Sequence, residues 1–246
     1  FGVKTNQKGT PLWSAGISWE ISNENFYKTG IFPYLRLRAT YGYNGNFSPL
    51  VSAETIASYS ISQITGLPIA TLISAPNKSL RWEQVGNLNI AIDFALKNRR
   101  VSGSIDFYRK NARDLLAPAI IDPTYGIGTS ASSTMIKNVA NMKGGGLEIF
   151  LNSKNLIGSF KWETSAFFSY AYSKVSKYML PEPRVGNMLL SSESSITPIV
   201  GKPLYTIYSF GWAGLDPLNG DPVGYYGKET SKDWANIYNN TIPDSM

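Results

Sequence analysis

The stretch WEQVGNLNIAIDFA (Trp82–Ala95), the turn LKNRR (Leu96–Arg100) and the stretch VSGSIDFY (Val101–Tyr108) decide the fold. Trp82, Gly86, Leu88, Ile90, Ile92, Phe94 and Leu96 recur with a period of two against Glu83, Val85, Asn87, Asn89, Ala91 and Asp93. After the basic turn, Val101, Gly103, Ile105 and Phe107 oppose Ser102, Ser104, Asp106 and Tyr108. Successive side chains of a strand point to opposite faces, so this period predicts two long antiparallel strands, each with one apolar and one wet face. The same alternation predicts strands over Leu12–Glu20, Tyr34–Asn44, Gly146–Asn152 and Phe160–Ser173. Six strands are placed in this way, and one or two more are expected after Ile199.

The connections sort by length. Those near residues 21–33, 97–100 and 153–158 are short. Those near 45–79, 114–142 and 174–200 are long and rich in Ser, Thr, Gly and Pro. Short and long alternate strictly, so in an up-and-down sheet one end carries only tight turns and the other only large loops. That asymmetry belongs to a transmembrane barrel, with short turns on the periplasmic side and long loops outside. The strand lengths fit, because about 9 to 11 tilted residues cross a bilayer. Tyr41, Tyr43, Trp82, Tyr170 and Tyr172 gather toward the long-loop ends, where amphipathic rings would form a membrane girdle. The alternative is a surface or secreted β-sandwich that binds carbohydrate without transport; its strands also alternate, but they usually run only about 5 to 6 residues.

Composition narrows the chemistry. The 246 residues carry 16% charged and 13% aromatic side chains, with neither Cys nor His. Disulfides, the usual zinc sites, thiol nucleophiles and His-based triads are therefore excluded within these residues. The net charge of +6 comes from scattered basic residues, without the stripe expected of a nucleic-acid reader. No run of about 18 apolar residues is present to make a spanning helix, and residues 1–10 lack the pattern of a secretory leader.

Five segments, LRLRATYGYNGN (Leu35–Asn46), NKSLRWEQVGNLNIAIDF (Asn77–Phe94), SIDFYRKNARDLL (Ser104–Leu116), NVANMKGGGLEI (Asn138–Ile149) and WAGLDPLNGDPVGY (Trp212–Tyr225), closely resemble the barrel of the SusC/RagA type of TonB-dependent outer-membrane transporters of Bacteroidota. They stand in that family's order. The resemblance implies an all-β, antiparallel transmembrane barrel of about 22 strands. It also implies an outer-membrane importer of glycan or peptide fragments, working with a SusD-like lipoprotein and with TonB acting through an N-terminal plug. No stretch resembles a plug or a TonB box, so residues 1–246 are read as an internal barrel segment without the plug domain. Outer-membrane lipid and an oligosaccharide or peptide are the expected partners, and no cofactor, metal or enzymatic activity is expected.

Candidate lumen-lining or substrate-binding residues are Arg36, Arg38, Glu83, Asn87, Asn89, Asp93, Lys161 and Glu163 on the polar strand faces, with Trp212 in a later segment. A hydrated interior lattice explains the polar positions equally, since barrel interiors are polar whatever they carry. DPLNGDP (Asp216–Pro222) lacks the spacing and terminal Glu of a calcium loop, and its Asn-Gly pair predicts a turn. Lys143–Gly146 lacks the order of a phosphate-binding loop, and its glycines are expected to let the chain enter a strand under close packing. Asp106, Asp114 and Asp122 have no spacing that marks an acid–base pair.

Overall fold

The computed structural model describes residues 11–28, 30–46, 53–125, 134–180 and 198–240. The expected long loops fall partly outside these residues, at 47–52, 126–133 and 181–197. The chain divides into two units, Phe1–Met179 and Leu180–Met246.

The first unit holds a six-stranded antiparallel sheet built from β1 (Trp13–Glu20), β2 (Tyr34–Asn46), β5 (Glu83–Ala95), β6 (Val101–Ile120), β7 (Thr134–Ile157) and β8 (Lys161–Tyr178), in that spatial order. Each strand pairs with the next of the set, as an up-and-down wall requires. All six expected strands are present. A separate hairpin of β3 (Ile56–Ile61) and β4 (Pro68–Ser74) lies within the first long connection, so that segment is not loop throughout. The connection expected at 114–142 is shorter than its sequence implies, because β6 runs on to Ile120 and β7 begins at Thr134. Ser, Thr, Pro and Gly in that stretch favour loop, but cross-strand bonding overrides composition where the two strands stay paired past the apolar rows.

Facing residues trace the rows of the sheet. Trp13 faces Tyr43, which faces Gly86, Asn111, Lys143 and Lys174 in turn. The next row runs Ala15, Tyr41, Leu88, Arg109, Gly145, Tyr172; below it come Ile17, Ala39, Ile90, Phe107, Leu147, Tyr170 and then Trp19, Leu37, Ile92, Ile105, Ile149, Phe168. Directly opposed residues share a face, so these apolar rows lie on one face, while Phe150 and Phe167 stand on the other. Ile17, Ile90, Ile105, Phe107, Phe168 and Tyr170 are all exposed, Ile17 by 70% and Phe168 by 56%. A sandwich would bury this face under a second sheet. Among the described residues none covers it.

Aromatic residues close the apolar face at both ends. At the long-loop end the Tyr41 hydroxyl bonds that of Tyr43 at 2.8 Å, and Trp13 meets the Tyr41 ring edge-on at 5.7 Å. At the short-turn end stand Trp19, Phe26, Phe32, Phe160 and Trp162, a second belt. Trp19 stacks near Phe26 at 6.1 Å and donates its Nε1–H to Glu24 at 2.8 Å. From Trp162 to Tyr172, β8 spans about ten residues between the belts, the length that crosses the hydrocarbon. Trp82 is half-buried just before β5, outside the strand on which the period had set it.

The glycine run Gly144–Gly146 lies in the middle of β7 and not at a strand entrance. Its neighbours explain it. A Cβ on Gly146 would stand 2.5 Å from the Tyr108 hydroxyl and 2.5 Å from the Tyr170 carbonyl oxygen. Tyr108 is its direct partner on one face, while Tyr172 covers Gly145 on the other.

The second unit contains β9 (Trp212–Leu215), β10 (Pro222–Tyr226), β11 (Glu229–Ser231) and α1 (Trp234–Asn240). Its strands form their own three-stranded sheet and are far shorter than a membrane crossing needs. The DPLNGDP segment is the β9–β10 turn, as its Asn-Gly pair predicts. The Asp216 and Asp221 backbones bond across it at 2.8 Å, Gly220 adopts φ +75°, and Lys232 pairs with Asp216.

Gly146→Val should destabilise the protein by about 1 to 3 kcal/mol through overpacking against Tyr108 and the β8 backbone. Unfolding of the detergent-solubilised protein by denaturant would measure it; a change within a few tenths would contradict this packing.

Candidate functional site

The face opposite the apolar one collects the charge. Every paired carboxylate of the six strands, Glu20, Glu83, Asp93, Asp106, Glu148 and Glu163, falls there by register. At its centre Asp93 of β5 receives two arginines of β2. Arg36 Nε donates to Asp93 Oδ2 at 2.8 Å, and Arg38 forks across both oxygens at 2.8 and 2.9 Å. Arg38 reaches further, to Asp106 on β6 at 3.3 Å. The Asp93 side chain is 13% exposed, while Arg36 and Arg38 keep 39% and 36%. The result is an ionic ladder across three strands, with the carboxylates screened and the guanidinium edges open to water. Two-residue spacing puts both arginines on one face of β2, and the register sets Asp93 opposite Arg36.

Toward the long loops, Asn44, Asn87, Asn89, Tyr108, Lys110 and Glu148 line a recess of about 470 Å³. Lys110 Nζ sits 5.3 Å from the Tyr108 ring centroid, a cation over an aromatic face. The recess offers amide, ammonium, carboxylate and ring together, the groups that hold a polar ligand by hydrogen bonds and stacking.

The other sequence candidates part company here. Glu83 shares this face but is engaged: its carboxylate accepts the Leu116 amide at 2.8 Å and the Asn46 side chain at 3.0 Å, tying β2 to the upper part of β6. Lys161 and Glu163 lie on β8 beside the short turn, apart from the arginine ladder. Trp212 belongs to the second unit, at the start of β9, and is 59% exposed. Sequence reasoning missed Asp106, Tyr108, Lys110 and Glu148 as members of one cluster. The signal was present in the alternation itself, since Asp106 has the parity of Asp93 once the Lys97–Arg100 turn folds the two strands together.

Above the recess a strap crosses β6 and β7. Asn138 accepts the Arg81 amide at 2.8 Å and returns its own NH2 to the Arg81 and Asp114 carbonyls at 2.9 and 2.6 Å. Asp114 sits at a break in the β6–β7 register with φ 56°, its amide held by Asn141 at 3.0 Å and its carboxylate by Arg81 at 3.0 Å. Left-handed backbone outside glycine persists where surrounding bonds over-determine it. Buried Asn77 completes the strap by donating to the Ile136 carbonyl at 2.9 Å. These bonds hold the segment before β5 against the extended hairpin.

A sheet with an uncovered apolar face between two aromatic belts and an ionic opposite face is the wall of a transmembrane barrel. No helix among the described residues is long and apolar enough to cross a membrane, and strands alone do so here. The family described as TonB dependent receptor-like, beta-barrel, matches residues 1–245. The chain belongs to that family, whose members are outer-membrane proteins. Among curated proteins it is 32% identical over 182 residues to the TonB-dependent receptor P3 of Formosa agariphila, covering 70% of this chain and 17% of that protein. It is 28% identical over 188 residues to the TonB-dependent receptor SusC of Bacteroides thetaiotaomicron, covering 71% and 18%. Among solved structures, the RagAB peptide importer in its open-open state superposes with a TM-score of 0.77 at 21% identity, over 98% of this chain and 26% of that one. The chain thus spans less than a fifth of the length of these curated relatives, and its fold is that of a segment of their barrel.

Asp93→Asn should cost about 1 to 2 kcal/mol, discounted for the solvent around both arginines. Arg38→Leu should cost more than Arg36→Leu, because only Arg38 serves two carboxylates. Equal midpoints for the two arginine variants in denaturant titrations would contradict the ladder.

Proposed function

We propose that this chain is part of the barrel wall of an energy-coupled outer-membrane importer for glycan or peptide fragments, working with a SusD-like surface lipoprotein and with TonB. The observation that carries the reading is the division of the sheet into an uncovered apolar face and an ionic one: the first suits acyl chains, the second a watery passage. The kinship to a receptor named SusC and the likeness in fold to a peptide importer support it. In this reading Arg36, Arg38, Asn87, Asn89 and Asp93 line the lumen, with Asp106, Tyr108, Lys110 and Glu148 beside them. Glu83 lines it as a structural brace, and Lys161 and Glu163 stand at its periplasmic end. Trp212 belongs to the second unit, where its ring is exposed. The work is binding and passage, without covalent chemistry.

The test is uptake by cells that carry the full-length gene, its deletion or a TonB-deficient background. Labelled oligosaccharides and peptides would be supplied separately. Deletion and TonB loss should each abolish accumulation of one ligand class; unchanged accumulation of both classes would reject the proposal. Ile90→Arg, in the middle of the apolar band, should cost about 2 to 4 kcal/mol of stability in bilayers. Asn89→Ala, from the opposite face, should leave stability within about 0.5 kcal/mol and alter uptake instead. Unfolding midpoints in lipid vesicles, measured beside the uptake rate, separate the two faces.

A further inference from the structure

A second hollow adjoins the recess on the inward face. Val85, Ala112, Leu115, Met142 and Ala171 give it apolar walls, Gly144 and Ser173 leave it open between them, and its volume is about 440 Å³. Tyr108 and Lys110 line both spaces and are their common wall. The Tyr108 ring is held over Gly146, where a Cβ would stand 2.5 Å from its hydroxyl. The charges of the first recess are unspent. The ladder absorbs Arg36, Arg38, Asp93 and Asp106, whereas among the described residues neither Lys110 nor Glu148 enters an ion pair. Glu148 directly opposes Asp106, whose ion-pair partner is Arg38, so two carboxylates stand side by side and draw a further cation. Lys110 faces Gly144, and Glu148 lies further along the same strand. At about 3.3 Å per residue the two rows are about 13 Å apart at the backbone, a gap that side-chain reach shortens.

From this we infer that the two hollows together seat a short peptide with free termini, of about two to four residues, whose C-terminal side chain is apolar. Its carboxylate pairs with Lys110 and its ammonium with Glu148, while Asn44, Asn87 and Asn89 bond the peptide groups between them. Lys110 borders the apolar hollow, so the C-terminal side chain is the one that enters it. A neutral oligosaccharide would satisfy the amides but leave both charges unpaired. An acidic one would pair with Lys110 and meet Glu148 and Asp106 with like charge. Neither fills the apolar hollow, whereas one peptide answers all three demands. This choice of peptide over glycan rests on the importer reading.

The test is calorimetric titration of the full-length protein in detergent with alanyl-alanyl-leucine. Its C-terminal amide, its N-acetyl form and its serine counterpart should each bind about ten-fold more weakly, since each removes one charge pair or the apolar side chain. A neutral trisaccharide and a trimer of uronic acids should bind more weakly than the uncapped leucine peptide. Lys110→Gln should erase the penalty of amidation, and Glu148→Gln that of acetylation. Ser173→Phe, which fills the apolar hollow, should erase the preference for leucine over serine. Heat-dependent gel mobility would confirm that each variant is folded. Tighter binding of either trisaccharide, equal affinity for capped and uncapped peptides, or an amidation penalty that survives Lys110→Gln would overturn the inference. Uptake separates it from the importer reading. TonB-dependent accumulation of glycan in place of peptide would reject the peptide site and leave the importer. Peptide binding with the expected charge dependence but without TonB-dependent uptake would reject the importer and leave the site.

Discussion

Peptide groups in hydrocarbon have no water to bond, so a strand that crosses a membrane must be paired along its whole crossing. That constraint orders the rest of this structure. The β2–β5 register runs unbroken from Tyr34 to Asn46, and the β5–β6 register unbroken from Gln84 to Ala95. Irregularities do occur, at Ala112–Leu116, at Asn141–Met142 and at Lys154–Leu156. All lie at or beyond the ends of the apolar band, where water can satisfy an unpaired amide. The bulge at Asp114 shows the same rule from the other side, because its freed groups are taken up by Asn138, Asn141 and Arg81.

The second consequence is the partition of charge. A cation at the bilayer midplane costs several kcal/mol, and the cost falls to almost nothing at the interface. The outward face follows that profile, with its arginines and lysines confined to the long-loop belt. The inward face is free of the penalty and concentrates six carboxylates, two of them bound into the arginine ladder. Arg38 linking Asp93 and Asp106 braces three strands from within, where side chains and not a packed core must supply lateral stiffness.

Much of this was legible in the residues. The period of two located all six strands, and the alternation of short and long connections matched their up-and-down order. The five family-like segments pointed to the barrel to which the chain belongs. The ends of the strands were less legible. Ser, Thr and Gly near 114–142 mark loops in water-facing proteins, yet paired backbone carries β6 and β7 through much of that stretch. The short-turn belt of Trp19, Phe26, Phe32, Phe160 and Trp162 also escaped notice. Its members come from two strands and two connections, and only folding gathers them. The strands after Ile199 proved too short to cross a bilayer, since a WAGLDPLNGDP hairpin has the turn chemistry of a barrel strand pair without its length.

By itself the sequence determined which side of each ribbon is greasy and which is wet, because that depends only on neighbours two residues apart. The tertiary structure decided which residues of different ribbons meet: Asp93 with Arg36 and Arg38, Tyr108 over Gly146, and Lys143 facing Lys174. The reason is register. A slip of one residue preserves every apolar stripe's period yet moves it to the other face, and a slip of two preserves the faces while exchanging every partner. Only the bonds between strands distinguish those alternatives.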